Sequence, residues 1–202
     1  DASVDVRQNY IPYRIPDVLE EWLESSILGG GLSETSFSWR GGFKGFGSGL
    51  QSMQIATVIS DGSIKFQTDW PRIDDFEGAL LVDTDRVSVW GRQGSISDAI
   101  VEGVSVEVDA ARTAGELLAS GQFRGEGMAA LNLLRHSPIY NATSALLDDL
   151  ELEGFVTGGL ELAMDIRPPA VPPQVAVATE LSKAKVRSRL LALTLEDVEG
   201  GL

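Results

Sequence analysis

The chain has 202 residues, with 16 Lys+Arg against 30 Asp+Glu, a formal net charge of −14, no Cys and one His. Without cysteine there is no disulfide staple, thiolate metal site or Cys nucleophile, and a single histidine argues against a multi-His metal site or a His-based proton relay. The acidic balance argues against a nucleic-acid binder, which needs a basic face to displace counterions, and no apolar run approaches the ~20 residues that cross a bilayer.

In chain order, the first expected element is a helix at about 17–27. Asp17 and Glu20 have capping-box spacing, Val18, Leu19, Trp22 and Leu23 share a face, and Gly29-Gly30-Gly31 is read as its stop. A strand is expected through Leu32 to Trp39, then alternating strands at 63–67, 87–89, 104–109 and 160–166. Asp61-Gly62, Asp83-Thr84-Asp85 and Gln93-Gly94 are read as short hairpin connections. Thr113 with Glu116 forms a second capping box ahead of Leu117 and Leu118, with Gly121 as its end. Met128, Leu131 and Leu134 have helical spacing before Pro138, and Leu146, Leu147 and Leu150 follow Thr143 and Ser144. Together these predict a helical insert at about 111–150. Pro168, Pro169, Pro172 and Pro173 mark a stiff crossover at about 167–173, before further strands from Val175 to Leu195. A helix, a glycine step and a strand recur at 18–39 and 146–166, an internal echo. The expected fold is mainly β: a curved antiparallel sheet forming a repeating β-groove, with short helices around 17–27 and 113–150.

Several constellations invite a chemical reading. His136 beside Ser137 resembles a base and nucleophile, but neighbours in sequence rarely aim at each other, and closing a helix before Pro138 explains both. The run from Gly41 to Gly49 lacks the Gly-Lys-Ser/Thr ending of a phosphate loop. Asp74-Asp75 and Asp148-Asp149 offer paired carboxylates for glycoside hydrolysis, against solvated turns as the plain reading. Lys183, Lys185, Arg187 and Arg189 form a basic stripe for anionic head groups, or a solvated strand face that guards an edge. Asn141-Ala142-Thr143 fits a glycosylation sequon. No catalytic residue, metal ligand or cofactor is assigned. What accumulates instead is an apolar face: Ile64, Phe66, Leu81, Val87, Val89, Val104, Val106, Val108, Leu160, Leu162, Met164 and Ile166. It fits either a closed sheet core or a groove for acyl chains, and alternation alone does not choose between them.

Particular stretches carry a resemblance. The segment from Asp61 through Trp70-Pro71 to Ile73, followed by Gly78 to Asp83, resembles a signature of the YhdP-like proteins within the AsmA-like superfamily. Gly127 to Ile139 resembles that family's leucine-rich helix followed by Ser-Pro, and Leu152 to Ile166 is similar to its glycine-rich entry into an amphipathic strand. Ile166-Arg167-Pro168-Pro169 departs from the family's usual Ile-Pro-Leu ending. Trp22-Leu23 and Phe37-Ser38-Trp39-Arg40-Gly41 also fit. The resemblance implies one internal segment, 1–202, of a longer β-groove array in the periplasm, with an inner-membrane anchor outside it. It implies carriage of phospholipid acyl chains between inner and outer membranes in support of the outer-membrane barrier, with no enzymatic activity and no nucleic-acid partner. The alternative is a structural or interaction module of the cell envelope with no lipid in its core.

Overall fold

A computed structural model describes residues 2–3, 17–41, 52–67, 69–110, 115–166 and 173–201. Its described strands form one antiparallel sheet in which spatial order follows chain order from β1 to β10. These are β1 (Ala2–Ser3), β2 (Ile27–Arg40), β3 (Ser52–Ile64), β4 (Ile73–Asp83), β5 (Arg86–Ile96), β6 (Ala99–Asp109), β7 (Glu116–Glu126), β8 (Leu150–Asp165), β9 (Gln174–Ser188) and β10 (Leu193–Gly201). Helix α1 (Asp17–Ser26) precedes β2, while α2 (Gly127–Arg135) and α3 (Tyr140–Asp149) lie between β7 and β8. Two-residue turns at Thr84-Asp85 and Ser97-Asp98 join β4 to β5 and β5 to β6, with Thr84 and Ser97 at positive φ. That is the backbone a tight hairpin turn demands.

The mainly β antiparallel fold read from alternation is therefore present, but several local expectations shift. Asp61-Gly62 and Gln93-Gly94 lie inside β3 and β5 rather than between strands. Gly29-Gly30-Gly31 lies inside β2, and α1 ends earlier, at Ser26. Residues 116–126 form β7, so the helical part of the insert narrows to 127–149; Thr113 lies outside the described residues. The capping-box pattern there is overridden by a complete ladder, in which every residue from Glu116 to Glu126 opposes one on β8. The proline crossover, apart from Pro173, and the glycine run from 42 to 49 also lie outside the described residues.

Side chains of opposed residues share a face, so the ladders sort the sheet into two sides. Val82, Val87, Val108, Leu117 and Met164 oppose one another in a row across β4 to β8, as do Leu80, Val89, Val106, Ala119 and Leu162. This inner face is buried: Val87, Val108 and Leu117 are fully covered. Its side chains form a single contiguous cluster from α1 to β9. The described helices pack mainly on β2 and on β6 to β8, yet Phe76 on β4 is equally covered. A sheet curled about its own apolar side produces that pattern.

Curling needs room and bends. Gly78 and Gly91 oppose each other across β4 and β5, and Phe76 lies over both: a Cβ at Gly91 would stand 2.3 Å from its Cε2. Bends come from bulges. Asp61, Asp75 and Gly103 adopt positive φ within β3, β4 and β6, and register shifts accompany them. An extra residue there moves the inner set to the other parity: β3 runs Met53, Thr57 and Ile59 before the bulge, then Ile64 after it.

The same device recurs at the other end. Gly30 packs against the Asp61-Gly62 bulge, where a Cβ would meet the Gly62 Cα at 2.8 Å; Gly154 packs against Lys183-Ala184, where a Cβ would meet the Ala184 Cα at 2.8 Å. Both glycines have positive φ, Asp61 and Lys183 share φ 49°, and in each half the next strand carries a positive-φ aspartate, Asp75 or Asp197, 14 residues later. Helix α1 runs directly into β2 as α3 runs into β8. The echo seen in the sequence thus corresponds to a helix and three strands bent at matching places.

Candidate functional site: the apolar inner face

Eleven of the twelve residues expected on the apolar face lie on it or pack with it, and they meet across strands rather than along them. Val87 opposes Val108, Val89 opposes Val106, and Gly91 opposes Val104. Leu160 and Leu162 on β8 oppose Gly121 and Ala119 on β7, and Met164 opposes Leu117. Ile64 is buried at the end of β3, Phe66 is buried just beyond it, and Ile166 is half-buried past the end of β8. Leu81 is the exception: it opposes Ser88 and sits on the outer face, while Leu80 and Val82 take the inner one. The run Ala79-Leu80-Leu81-Val82 is apolar at both parities, so alternation did not identify its buried half.

Sequence reading also missed several inner-face side chains. Ile59, Phe76, Phe123 and Val156 are buried there, with Phe123 lying over Gly158 as Phe76 lies over Gly91. A large aromatic two residues from a glycine, as in Phe76-Glu77-Gly78, was the available signal. On β2 and β3, Leu32, Phe37 and Trp39 oppose Ile59, Ile55 and Met53 on the same face. Phe37 is 61% exposed there.

The face is thus covered at its centre and wetter on both flanks. One flank carries Phe37, Trp39 and Ile55; the other carries Leu160, Val175 and Val177, which oppose one another or lie two residues apart on β8 and β9. Beyond them, Leu193 and Leu195 on β10 oppose inner-face positions of β9 and are 45% exposed. Between the flanks, α2 packs on β6 to β8 and adds Ala130 and Leu133 to the core cluster. Its buried stripe is centred there rather than on Met128, which is exposed. Phe66 and Trp70, on the connection from β3 to β4, join the core beside it. That connection is tied down where the Trp22 indole donates to the Phe66 carbonyl at 2.9 Å and the Lys65 N–H donates to the Ser26 carbonyl at 2.7 Å.

The polar constellations are engaged locally. His136 Nδ1 meets the Asn132 carbonyl at 2.8 Å and Ser137 Oγ donates to the Leu134 carbonyl at 2.8 Å, so both satisfy the end of α2. Arg135 donates to the Leu147 and Leu150 carbonyls, closing the end of α3 with a cation where the helix dipole favours one. Asp74 pairs with Arg72 and accepts from Ser63, whereas Asp75 accepts from Ser95. Asp148 accepts from the Tyr140 hydroxyl, and the resulting bond raises the Tyr140 pKa.

The basic stripe is largely spent on carboxylates. Lys185 pairs with Glu196 of β10 at 2.8 Å, and Arg187 and Arg189 both bind Glu151 of β8. Hydrogen bonds from Arg189 and Arg187 hold the Glu151 carboxyl below its ordinary pKa, and Ser188 with the Leu190 N–H does the same for Asp149. Lys183 occupies a bulge. Among the described residues no group of three His, Asp or Glu side chains is arranged to hold a metal ion, and no helix is long and apolar enough to cross a membrane.

No curated protein and no solved structure matches the chain. A family model described as YhdP protein matches residues 2–202, nearly its whole length. An open antiparallel sheet with one continuous apolar side is consistent with the AsmA-like superfamily, and the match points to an envelope protein. By that match, the chain belongs to the YhdP protein family.

Proposed function

We propose that the chain is a segment of a lipid conduit of the cell envelope, carrying phospholipid acyl chains along the inner face of its sheet between inner and outer membranes. The observation that supports this best is the continuity of one apolar side through β2 to β10, with half-exposed flanks beside a covered centre. An acyl chain needs such a surface because each CH₂ left in water costs about 0.8 kcal/mol. Backbone groups of the sheet are already paired, so a guest chain meets side chains alone. Head groups would stay in water, and the phospholipid would slide rather than lodge. In this reading the segment is periplasmic, belongs to an inner-membrane-anchored protein and performs no chemistry of its own.

A photo-crosslinking amino acid at Leu160 or Val177, with Glu161 and Ala178 as outer-face controls, tests this in cells. Inner-face probes are expected to capture phospholipid well above the controls; equal capture, or none, rejects the conduit. One observation favours a second reading, a closed scaffold without lipid: the complete burial of Val87, Val108 and Leu117 by the protein's own atoms. That reading expects the same probes to yield only intramolecular products.

A further inference from the structure

Residues 127–149 leave the sheet at the end of β7 and re-enter it at the start of β8, and those two strands are direct neighbours. The β7–β8 ladder runs unbroken from Glu116 to Glu126 without using any residue of α2 or α3. The helical hairpin therefore hangs on two adjacent points, and swinging it away breaks no rung of that ladder. Its polar side chains bond inwardly: those of Arg135, His136, Ser137, Tyr140 and Thr143 all find partners within 132–150. At the β8 end Asp149 is fastened to Ser188 and to the Leu190 N–H, which fixes that pivot. Leu131 of α2 and Leu147 of α3 are buried without joining the core cluster of the sheet, as suits a hairpin with apolar packing of its own.

Helix α2 joins the sheet core through Ala130, Leu133 and the half-buried Leu134. The fit beneath it is loose, because a cavity of about 50 Å³ is bordered by Leu133, by Phe66 and Trp70, and by Val104, Phe123 and Leu160 of the sheet. Groups that face a void forfeit the dispersion contacts they would otherwise make. Leu160 also belongs to the half-buried flank, so the gap adjoins the stretch offered to an acyl chain. Apolar contact is non-directional, and a hydrocarbon guest can replace it nearly like for like, which it cannot do for hydrogen bonds. We infer that the α2–α3 hairpin is a lid over the centre of the inner face, lifting about its two pivots so that an acyl chain passes between the exposed flanks. The inference rests on the conduit reading and names the part of the fold that must move for it.

The chain has no cysteine of its own, so a single introduced thiol reports opening directly. Ala130→Cys, at a site 5% exposed on α2, and Val108→Cys, at a fully buried site on β6, change side-chain size little. Each variant meets a thiol reagent under native conditions, with and without vesicles of phosphatidylethanolamine and phosphatidylglycerol, and retained lipid is weighed by mass spectrometry. Without lipid, Ala130→Cys is expected to label at least about tenfold faster than Val108→Cys and with a weaker urea dependence, the mark of a local opening. With lipid retained, its labelling should quicken further while that of Val108→Cys does not. Equal rates and urea dependences in the two variants overturn the lid, and so does retained lipid that leaves Ala130→Cys labelling unchanged. Retention of no lipid overturns the conduit reading and this inference with it. If either variant does not fold, native-state hydrogen exchange of the wild type decides. Amides of α2 and α3 should open with a smaller urea dependence than those of β6 and β7, and matching dependences overturn the lid.

Discussion

Replacing Gly91 by Ala tests whether the inner face is packed as tightly as its burial implies. The new methyl would stand 2.3 Å from Phe76 Cε2, 2.7 Å from Cζ and 3.0 Å from Val104 Cβ. Ordinary contact begins at 3.4 Å, so the ring must move by about an ångström, and Phe76 is fully buried with Gly78 on its other side. Overpacking of this kind costs about 1–3 kcal/mol, while losing a strand glycine returns about 0.5–1 kcal/mol. A net loss of about 1–2 kcal/mol is expected, lowering a urea midpoint by roughly 1 M at an ordinary m-value. The decisive measurement is a double-mutant cycle with Phe76→Leu, which removes the atoms that collide. The pair should be at least about 1 kcal/mol more stable than the sum of the single changes. If Gly91→Ala unfolds at the parent's midpoint, or the two losses simply add, Phe76 does not occupy the glycine step and the packing argument fails.

Other expectations concern the flanks and the edge. Leu162→Asp puts an uncompensated charge at a position 3% exposed and should cost several kcal/mol, visible as loss of the cooperative melt, whereas Leu160→Asp on the half-buried flank should leave most of the stability and reduce lipid capture. Comparable melts for the two variants would contradict the contrast between centre and flank. Asp149 and Glu151 have pKa values below those of the unfolded chain, so their stabilising share is complete above about pH 5 and is lost as pH falls through the unfolded and then the folded values. Glu151→Gln should therefore flatten the acid limb of a stability–pH curve and leave the limb above pH 7 parallel to the parent's; an unchanged acid limb would remove Glu151 from that account.

The broad architecture was legible because alternation is a direct record of two-sidedness. Val104 to Val108 and Leu160 to Ile166 each held their parity without a break, and their faces were read correctly. Legibility failed where one local signal serves two structures. A residue at positive φ followed by glycine satisfies a hairpin turn and an in-strand bulge equally, so Asp61-Gly62 looked like an end when it was a bend. Leu117-Leu118 after Glu116 fits a helix locally, and only the distant partner strand, from Phe155 to Asp165, makes it β. Leu81 failed for another reason: its neighbours are apolar on both faces, so no contrast was available.

Strand order that follows chain order has a consequence for how such a sheet is made. Every strand after the first finds its partner in the strand just before it, so no strand waits for a distant stretch of sequence to arrive. A chain emerging from its N-terminus can therefore lay down its sheet strand by strand, each new strand capping the open edge left by the last. Most loop closures stay short, with the helical stretch between β7 and β8 a longer one, which favours rapid pairing despite the mainly β character. The edge exposed at any moment is covered by the next residues to emerge, so the same meander that builds a long apolar surface also shields its growing end.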